Sequence, residues 1–149
     1  MIMVTAIDLK VAAERDGLAA MLSSAGLPTT DLDEPHRVFL RFGDADTVGF
    51  AGIEGADDDR LLRSVVVAAG ERGTGIGRDI VAATEREAAR RGARRLHLLT
   101  QGAAPFFARA GYAATERAEA PASIAATAQF SSLCPASATY MTKSIGDAA

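Results

Sequence analysis

Residues 65–77 read VVVAAGERGTGIG, and this stretch decides the fold. Three consecutive valines predict a buried strand, and the glycine-rich turn after them opens a long helix predicted to run from Gly75 to Arg91. Gly73, Gly75 and Gly77 have no Cβ atoms, so backbone N–H groups can converge on one point. Because a helix start also carries partial positive charge, we expect the turn to bind a phosphate or pyrophosphate.

Two well-known phosphate-binding motifs fit this turn poorly. A P-loop would need a lysine after its last glycine, but Gly75 is followed by Ile76. A dinucleotide-binding turn would need the spacing G-x-G-x-x-G, with an acidic residue about 20 positions later. Here the spacing is G-x-G-x-G, and the next strand starts with Arg94 and Arg95. A tight turn that binds nothing remains possible, but three alternate glycines carry an entropy cost that packing alone rarely requires.

Working outward from the turn, periodicity predicts strands and helices in alternation. The predicted strands are Ile2 to Ile7, His36 to Phe42, Thr47 to Glu54, Arg60 to Ala69, Arg95 to Thr100, Tyr112 to Arg117 and Ala138 to Lys143. The other predicted helices are one carrying Leu18, Met21, Leu22 and Ala25 on a face, Pro105 to Ala110, and Pro121 to Ala128. Residues 29–35 are expected to form a mobile loop. The order predicts an α/β or α+β fold, with a mixed, largely antiparallel central sheet flanked by helices.

Composition limits the class of protein. The chain has 149 residues, which fits one domain over 1–149, and 48% apolar with 23% charged residues is ordinary for a globular protein. A net charge of -3 disfavours a general nucleic-acid binder. The single cysteine, Cys134, excludes an intrachain disulfide and fits a reducing cytosol. With no secretion signal or long apolar run, we expect a cytoplasmic protein with neither nucleic-acid nor membrane partners, and we predict no metal site.

The turn resembles the pyrophosphate loop of the GNAT superfamily of N-acetyltransferases, which reads R-x-x-G-x-G, as do residues 72–77. Residues 96–112, LHLLTQGAAPFFARAGY, resemble the second half of that superfamily's cofactor site. The resemblance implies a GNAT-like fold with acetyl-CoA as cosubstrate. The cofactor contacts that it implies are Val65, Val66, Val67, Arg72, Gly73, Thr74, Gly75, Ile76, Gly77, Arg78, Phe106 and Phe107.

A narrower resemblance covers most of residues 61–143, including LLRSVVV, LLT and the tail PASIAATAQFSSLCPASATYMTK. This region is similar to the small N-acetyltransferases encoded with arsenic-resistance genes and to the acetyltransferase domain of N-acetylglutamate synthases. It implies an amino-acid-like small molecule as substrate: glutamate, or a mimic carrying an arsonous or phosphinic group, acetylated at its α-amine. A homodimer is compatible with this interpretation. The alternatives are a protein or peptide N-acetyltransferase and a non-catalytic acetyl-CoA-binding sensor.

The superfamily mechanism implies direct attack of an amine on the thioester, so the site needs a base and a donor to the oxyanion. Glu54 is the leading candidate for the base and Asp59 the second, although either could be a solvated acid beside a turn. A backbone N–H near Val66 or Val67 is expected to stabilise the oxyanion. His97 could relay a proton, but a histidine inside a strand is more often structural.

The general acid is not assigned by the sequence. Phe107 stands where the family usually has a tyrosine, and Thr100 replaces a common asparagine. Water, Cys134, Ser132 or Tyr140 could protonate the thiolate, although a free cytosolic thiol is usually an inert small hydrophobe.

Arginines on the predicted strands suggest an anionic substrate. Arg37 and Arg41 share a face. Arg63 lies an even number of residues from Leu61, Val65 and Val67, so strict alternation along the strand places it on their face. Each arginine either pairs with an acid or binds a substrate carboxylate. The acidic loop at residues 31–34 would then meet the ammonium group. We therefore expect turnover of glutamate-like amino acids and little of polyamines or aminoglycosides.

Overall fold

The computed structural model describes residues 3–133 and 137–145. Within these ranges the strands are β1 (Val4–Ala6), β2 (Arg37–Gly43), β3 (Thr47–Glu54), β4 (Asp59–Val67), β5 (Arg95–Thr100), β6 (Ala113–Ala114) and β7 (Thr139–Ser144). The α-helices are α1 (Ala12–Ser24), α2 (Ile76–Arg90), α3 (Ala104–Arg109) and α4 (Ala122–Ala125). Short 3-10 turns cover Ala69–Glu71 and Arg117–Glu119, and a π-helical turn covers Gln129–Leu133.

The strands form one sheet in the order β1-β2-β3-β4-β5-β7-β6. The β4–β5 pair is parallel, and the other neighbouring pairs are antiparallel. Parallel neighbours need a crossover, which α2 supplies between β4 and β5. The predicted fold class, a mixed and largely antiparallel sheet flanked by helices, is therefore confirmed.

The apolar core lies on both faces of the sheet. The larger cluster packs under α2 and α3 and includes Leu40, Phe42 and Ile80. The smaller cluster packs under α1 and includes Leu22 and Phe39. Successive side chains of β2 thus point alternately into the two clusters, as its sequence pattern predicts.

Several elements of the structure differ from their predicted bounds. The first strand is shorter than Ile2 to Ile7, and residues 1 and 2 lie outside the described residues. The strand predicted from Tyr112 to Arg117 is observed only over Ala113–Ala114, and a 3-10 helix follows at Arg117–Glu119. The expectation of a mobile loop at residues 29–35 is wrong, because Leu32 packs in the smaller core and the Asp31 side chain is buried.

A β-bulge interrupts β4. Ser64 has a φ of 58°, and one residue of β3, Ala51, lies opposite both Ser64 and Val65. The extra residue reverses the alternation of side chains along the strand. Arg63 lies over the Phe39 ring on the α1 face, whereas Val65 and Val67 pack on the α2 face. The predicted shared face of Arg63 with these valines is therefore wrong.

Candidate active site

β4 and β5 pair along three residues and then diverge. Leu61 and His97 form the last pair. A cavity of about 220 Å³ lies in the gap beyond them. Its lining includes Leu98 and Phe107 from the larger core face and Leu27, which packs on the smaller one. This gap cavity therefore crosses the sheet from one face to the other.

The hydrogen-bond alternation of the β3–β4 ladder indicates which backbone N–H groups near the bulge turn toward this gap cavity. The Ala68 N–H donates to the Val48 carbonyl at 2.8 Å, which fixes the alternation of the β3–β4 ladder. By that alternation Val66 turns its backbone toward β3, while Val65 turns its own toward the gap. Val65 also lines the cavity. By the same alternation Val67, like Val65, turns its backbone away from β3, whereas Val66 does not. Of Val65 and Val67, Val65 lines the gap cavity and is therefore the better candidate for the oxyanion donor.

The glycine turn has the backbone that the sequence predicts. Gly73 and Gly75 have φ of 82° and 87°, which favours glycine, and Gly75 directly precedes α2. No described side chain caps this helix start, and the first N–H groups of a helix have no acceptor within it. A Cβ at either glycine would meet no atom within 4 Å, so the space around the turn is open. These features fit the pyrophosphate of a coenzyme.

The other predicted cofactor residues differ in what they contact. The Thr74 hydroxyl donates to the Glu71 carbonyl at 2.6 Å. A Cβ at Gly77 would lie 3.3 Å from the Phe106 ring, so the first turn of α2 packs closely on α3. Phe107 meets Phe106 edge to face and lines the gap cavity. Arg72 and Arg78, like the turn itself, are exposed to solvent.

Four charged residues form an ion-pair cluster on the α1 face: the buried residues Asp31, Glu54 and Arg63, and the largely buried Arg37. Both Arg63 Nη atoms donate to the Asp31 carboxylate, at 2.6 and 2.7 Å, and Nη1 also donates to Glu54 Oε1 at 2.9 Å. Arg37 Nη2 lies 3.1 Å from Asp31 Oδ2 and 3.3 Å from Glu54 Oε2. The two positive charges therefore balance the two negative ones.

The two arginines determine the direction in which the pKa of Asp31 shifts. Burial alone would raise the pKa of Asp31, but hydrogen bonds and charges from Arg63 and Arg37 outweigh burial and lower it. Arg37 Nε is buried and has no hydrogen-bond partner among the described residues. One donor of the cluster thus remains unsatisfied.

The cluster gathers only some of the predicted substrate residues. Arg37 and Arg63 come together, and Glu54, the leading predicted base, lies between them. Arg41 lies elsewhere: its Nε donates to Thr47 Oγ1 and its Nη2 to the Asp44 carbonyl, both at 2.8 Å. Arg41 therefore closes the β2–β3 hairpin.

A second and larger cavity, of about 630 Å³, lies beyond the ion-pair cluster. Residues 34–37, the β3–β4 turn and α4 contribute to its walls. Arg37 and Glu54 line this larger cavity, whereas Arg63 lines the gap cavity. The ion-pair cluster thus borders both cavities.

A hydrogen-bonded chain joins one residue from each of β4, β5 and β7. Fully buried His97 lies with Nε2 2.7 Å from Asp59 Oδ1 and Nδ1 2.8 Å from the Tyr140 hydroxyl. Burial lowers the pKa of His97, although the bond with Asp59 opposes this, and burial raises the pKa of Tyr140. Because a carboxylate only accepts, neutral His97 donates through Nε2 to Asp59, and Tyr140 donates to Nδ1.

Sequence reasoning missed the combination of these three residues, which it treated separately. It also missed Ser64, since no local pattern marks a serine with positive φ. Cys134 lies outside the described residues, as does the side chain of Ser132.

Comparison with known proteins identifies the class. The family model described as the acetyltransferase (GNAT) domain matches residues 34–114, which is more than half of the chain. The chain therefore belongs to the GNAT acetyltransferase family, whose enzymes use acetyl-CoA as cosubstrate. No curated protein matches the chain by sequence.

Solved structures share the fold at low identity. An N-acetylglutamate synthase from Neisseria gonorrhoeae, complexed with coenzyme A and N-acetyl-glutamate, gives a TM-score of 0.75 at 16% identity over 97% of this chain. The chain spans only 35% of that synthase's length. The ribosomal-protein-S18-alanine N-acetyltransferase from Escherichia coli gives 0.72 at 13% identity, covering 100% of this chain and 97% of that one. Tetrahymena GCN5 gives 0.77 at 12% identity, with 96% of each chain covered. At these identities the likeness shows the fold and leaves the acceptor open.

No helix within residues 3–133 and 137–145 combines the length and the apolar character that crossing a bilayer requires.

Proposed function

We propose that this acetyltransferase acetylates the α-amine of a small amino acid by direct attack within a ternary complex. The gap cavity carries the proposal. Because it crosses the sheet where β4 and β5 diverge, a thioester from the α2 face and an amine from the α1 face can meet inside it. Direct transfer of this kind needs no covalent enzyme intermediate.

The cosubstrate site is built mainly from backbone. The N–H groups at the start of α2 would hold the pyrophosphate, and the exposed cations Arg72 and Arg78 would add charge. When bound, acetyl-CoA supplies an activated acetyl group that an amine can attack. The Val65 N–H would donate to the oxyanion that develops, a contribution of about 2.7–4 kcal/mol for one such donor.

Asp59 is better suited than Glu54 to take the proton of the ammonium group. Protonating Glu54 would leave excess positive charge in the buried cluster with Arg37 and Arg63. Protonating Asp59 would disturb only its bond from neutral His97, and its side chain is 30% exposed. Asp59 lies five residues before Ser64, about 16 Å along the strand, which is beyond hydrogen-bond reach of the amine, so a chain of several waters would relay the proton from the ammonium group to Asp59.

The larger cavity supports an amino-acid acceptor. Its wall combines the acids Glu34, Asp57 and Asp59 with Arg37, whose Nε lacks a partner among the described residues. A wall with both signs of charge suits a zwitterion. The sequence resemblance of residues 61–143 to N-acetylglutamate synthases and to the small arsenic-resistance acetyltransferases suggests glutamate, or a mimic with an arsonous or phosphinic group, as the acceptor. A role in arsenic resistance would follow from acetylation of such a mimic.

Thiol release from acetyl-CoA across a panel of acceptors tests this proposal. The panel holds glutamate, a phosphinic analogue, neutral amino acids, a short peptide with N-terminal alanine, spermidine and an aminoglycoside. We expect the highest kcat/KM with the anionic amino acids. A preference for spermidine or the aminoglycoside over every anionic amino acid would refute this acceptor class. Coenzyme A binding without turnover on any amine would instead indicate a sensor.

A further inference from the structure

The backbone at Ser64 is held in a conformation that serine does not favour. Its φ of 58° lies in the left-handed region, where a side chain crowds the following carbonyl. Such a conformation persists only when the surrounding structure determines it, and it tends to occur at functional sites. Ser64 and its neighbour Val65 both line the gap cavity.

The side chain next to Ser64 is fixed from several directions. The Arg63 side chain is fully buried and makes three hydrogen bonds to Asp31 and Glu54. Its guanidinium lies 5.7 Å from the centroid of the Phe39 ring. Its Nε also donates to Ser64 Oγ at 3.3 Å. The guanidinium therefore cannot shift without breaking several of these contacts.

The strand opposite leaves room for this arrangement. Gly52 pairs with Arg63 across the β3–β4 ladder. A Cβ at Gly52 would lie 2.8 Å from the Phe39 ring and 3.2 Å from Arg63 Cγ. The stem of Arg63 is thus confined by packing as well as by charge.

We propose that Arg63 is a positioning residue whose fixed guanidinium holds the bulge at Ser64, so that the Val65 N–H faces the gap cavity. This inference rests on the proposed function for the role of that N–H in catalysis. Arg63 acts through the backbone, because it supplies neither the proton nor the donor to the oxyanion. Asp31, which binds Arg63, belongs to the segment between α1 and β2, whose Leu27 and Pro28 line the same cavity. The position of the segment between α1 and β2 and the orientation of the Val65 N–H are therefore coupled.

A double-mutant cycle with Arg63→Lys and Ser64→Gly tests the proposal. Lysine keeps the charge but loses the planar fork that binds Asp31, and glycine adopts a positive φ without strain. We expect Arg63→Lys to lower kcat about tenfold, as expected for a displaced oxyanion donor, with KM for acetyl-CoA nearly unchanged. Ser64→Gly alone is the reference for the double variant, and adding it to Arg63→Lys should restore most of the kcat lost in Arg63→Lys. Wild-type kcat in Arg63→Lys, or no rescue by Ser64→Gly, would overturn the proposal.

A spectroscopic measurement keeps this test independent of the acceptor. The backbone amide shifts of Ser64 and Val65, measured without acetyl-CoA, should move in Arg63→Lys and return in the double variant. Arg60→Lys is the matched control, because Arg60 is a buried arginine of the same strand that binds the Asp57 and Arg91 carbonyls. Its substitution should leave both amide shifts in place. Unmoved shifts in Arg63→Lys would reject the positioning role even if the acceptor assignment were correct, and moved shifts would support it even if that assignment failed.

Discussion

The glycine turn and the ion-pair cluster are built on opposite principles. The turn, residues 72–77, is exposed over residues 72–75 and presents uncapped backbone N–H groups. The cluster is buried and consists of side chains whose charges balance one another. A ligand could satisfy the N–H groups of the turn, whereas the charges of the cluster are already balanced within the protein. Damage to the turn should therefore cost binding, and damage to the cluster should cost stability.

The largest expected effect is on stability, from Asp31→Asn. The substitution leaves Arg37 and Arg63 with one carboxylate between them, and breaking a buried pair costs about 3–5 kcal/mol. Chemical denaturation at pH 7 measures this. The control is Arg90→Met, which breaks an ion pair whose arginine is 76% exposed and should change stability by less than about 1 kcal/mol.

The same variant has a defined pH dependence. Because the folded-state pKa of Asp31 is lowered, its stabilising contribution is complete above its unfolded pKa of about 3.9 and is lost as the pH falls through the folded value. The difference between wild type and Asp31→Asn should therefore shrink in acid. A difference that stayed constant down to pH 2 would contradict the assigned titration.

The next effect separates the two candidate bases. Asp59→Asn should lower kcat about tenfold with little change in coenzyme A affinity, because Asp59 receives the proton through water and does not contact the amine directly. Glu54→Gln should act mainly through stability, because Glu54 belongs to the buried cluster. Steady-state kinetics with denaturation curves on both variants tests this. Full activity in Asp59→Asn and a large kcat loss in stably folded Glu54→Gln would return the role to Glu54.

A smaller effect is expected at the turn, from Gly75→Val. The space around Gly75 is open, so the damage comes from the φ of 87°, which costs a branched residue about 1–2 kcal/mol. The protein should fold while its affinity for coenzyme A falls at least about tenfold, since the N–H groups no longer converge. Titration calorimetry measures this, and Gly70→Val is the control, because Gly70 has open space and no positive φ. Unchanged affinity in Gly75→Val would reject the turn as the cofactor site.

The contrast between the two regions also explains what the sequence could predict. The turn is local: its glycine spacing, the strand before it and the helix after it lie within one short stretch, so its conformation is predictable. The cluster is not local, because Asp31 and Arg63 are 32 residues apart and meet only in the folded sheet. Likewise His97 and Tyr140, 43 residues apart, pair across two strands. The bulge at Ser64 then reversed the face of Arg63, which strict alternation along β4 cannot reveal.

The short parallel pairing between β4 and β5 also has a mechanical consequence. Three residue pairs, extended by bonds from the Arg94 and Arg95 N–H groups to the Asp58 carbonyl, join the half-sheet β1–β4 to the half-sheet β5–β7. Cooperative units of a protein separate most easily where few backbone bonds cross between them. The seam between these halves coincides with the gap cavity. Amide hydrogen exchange along this seam should therefore occur by sub-global opening, in which each half-sheet keeps its own ladder.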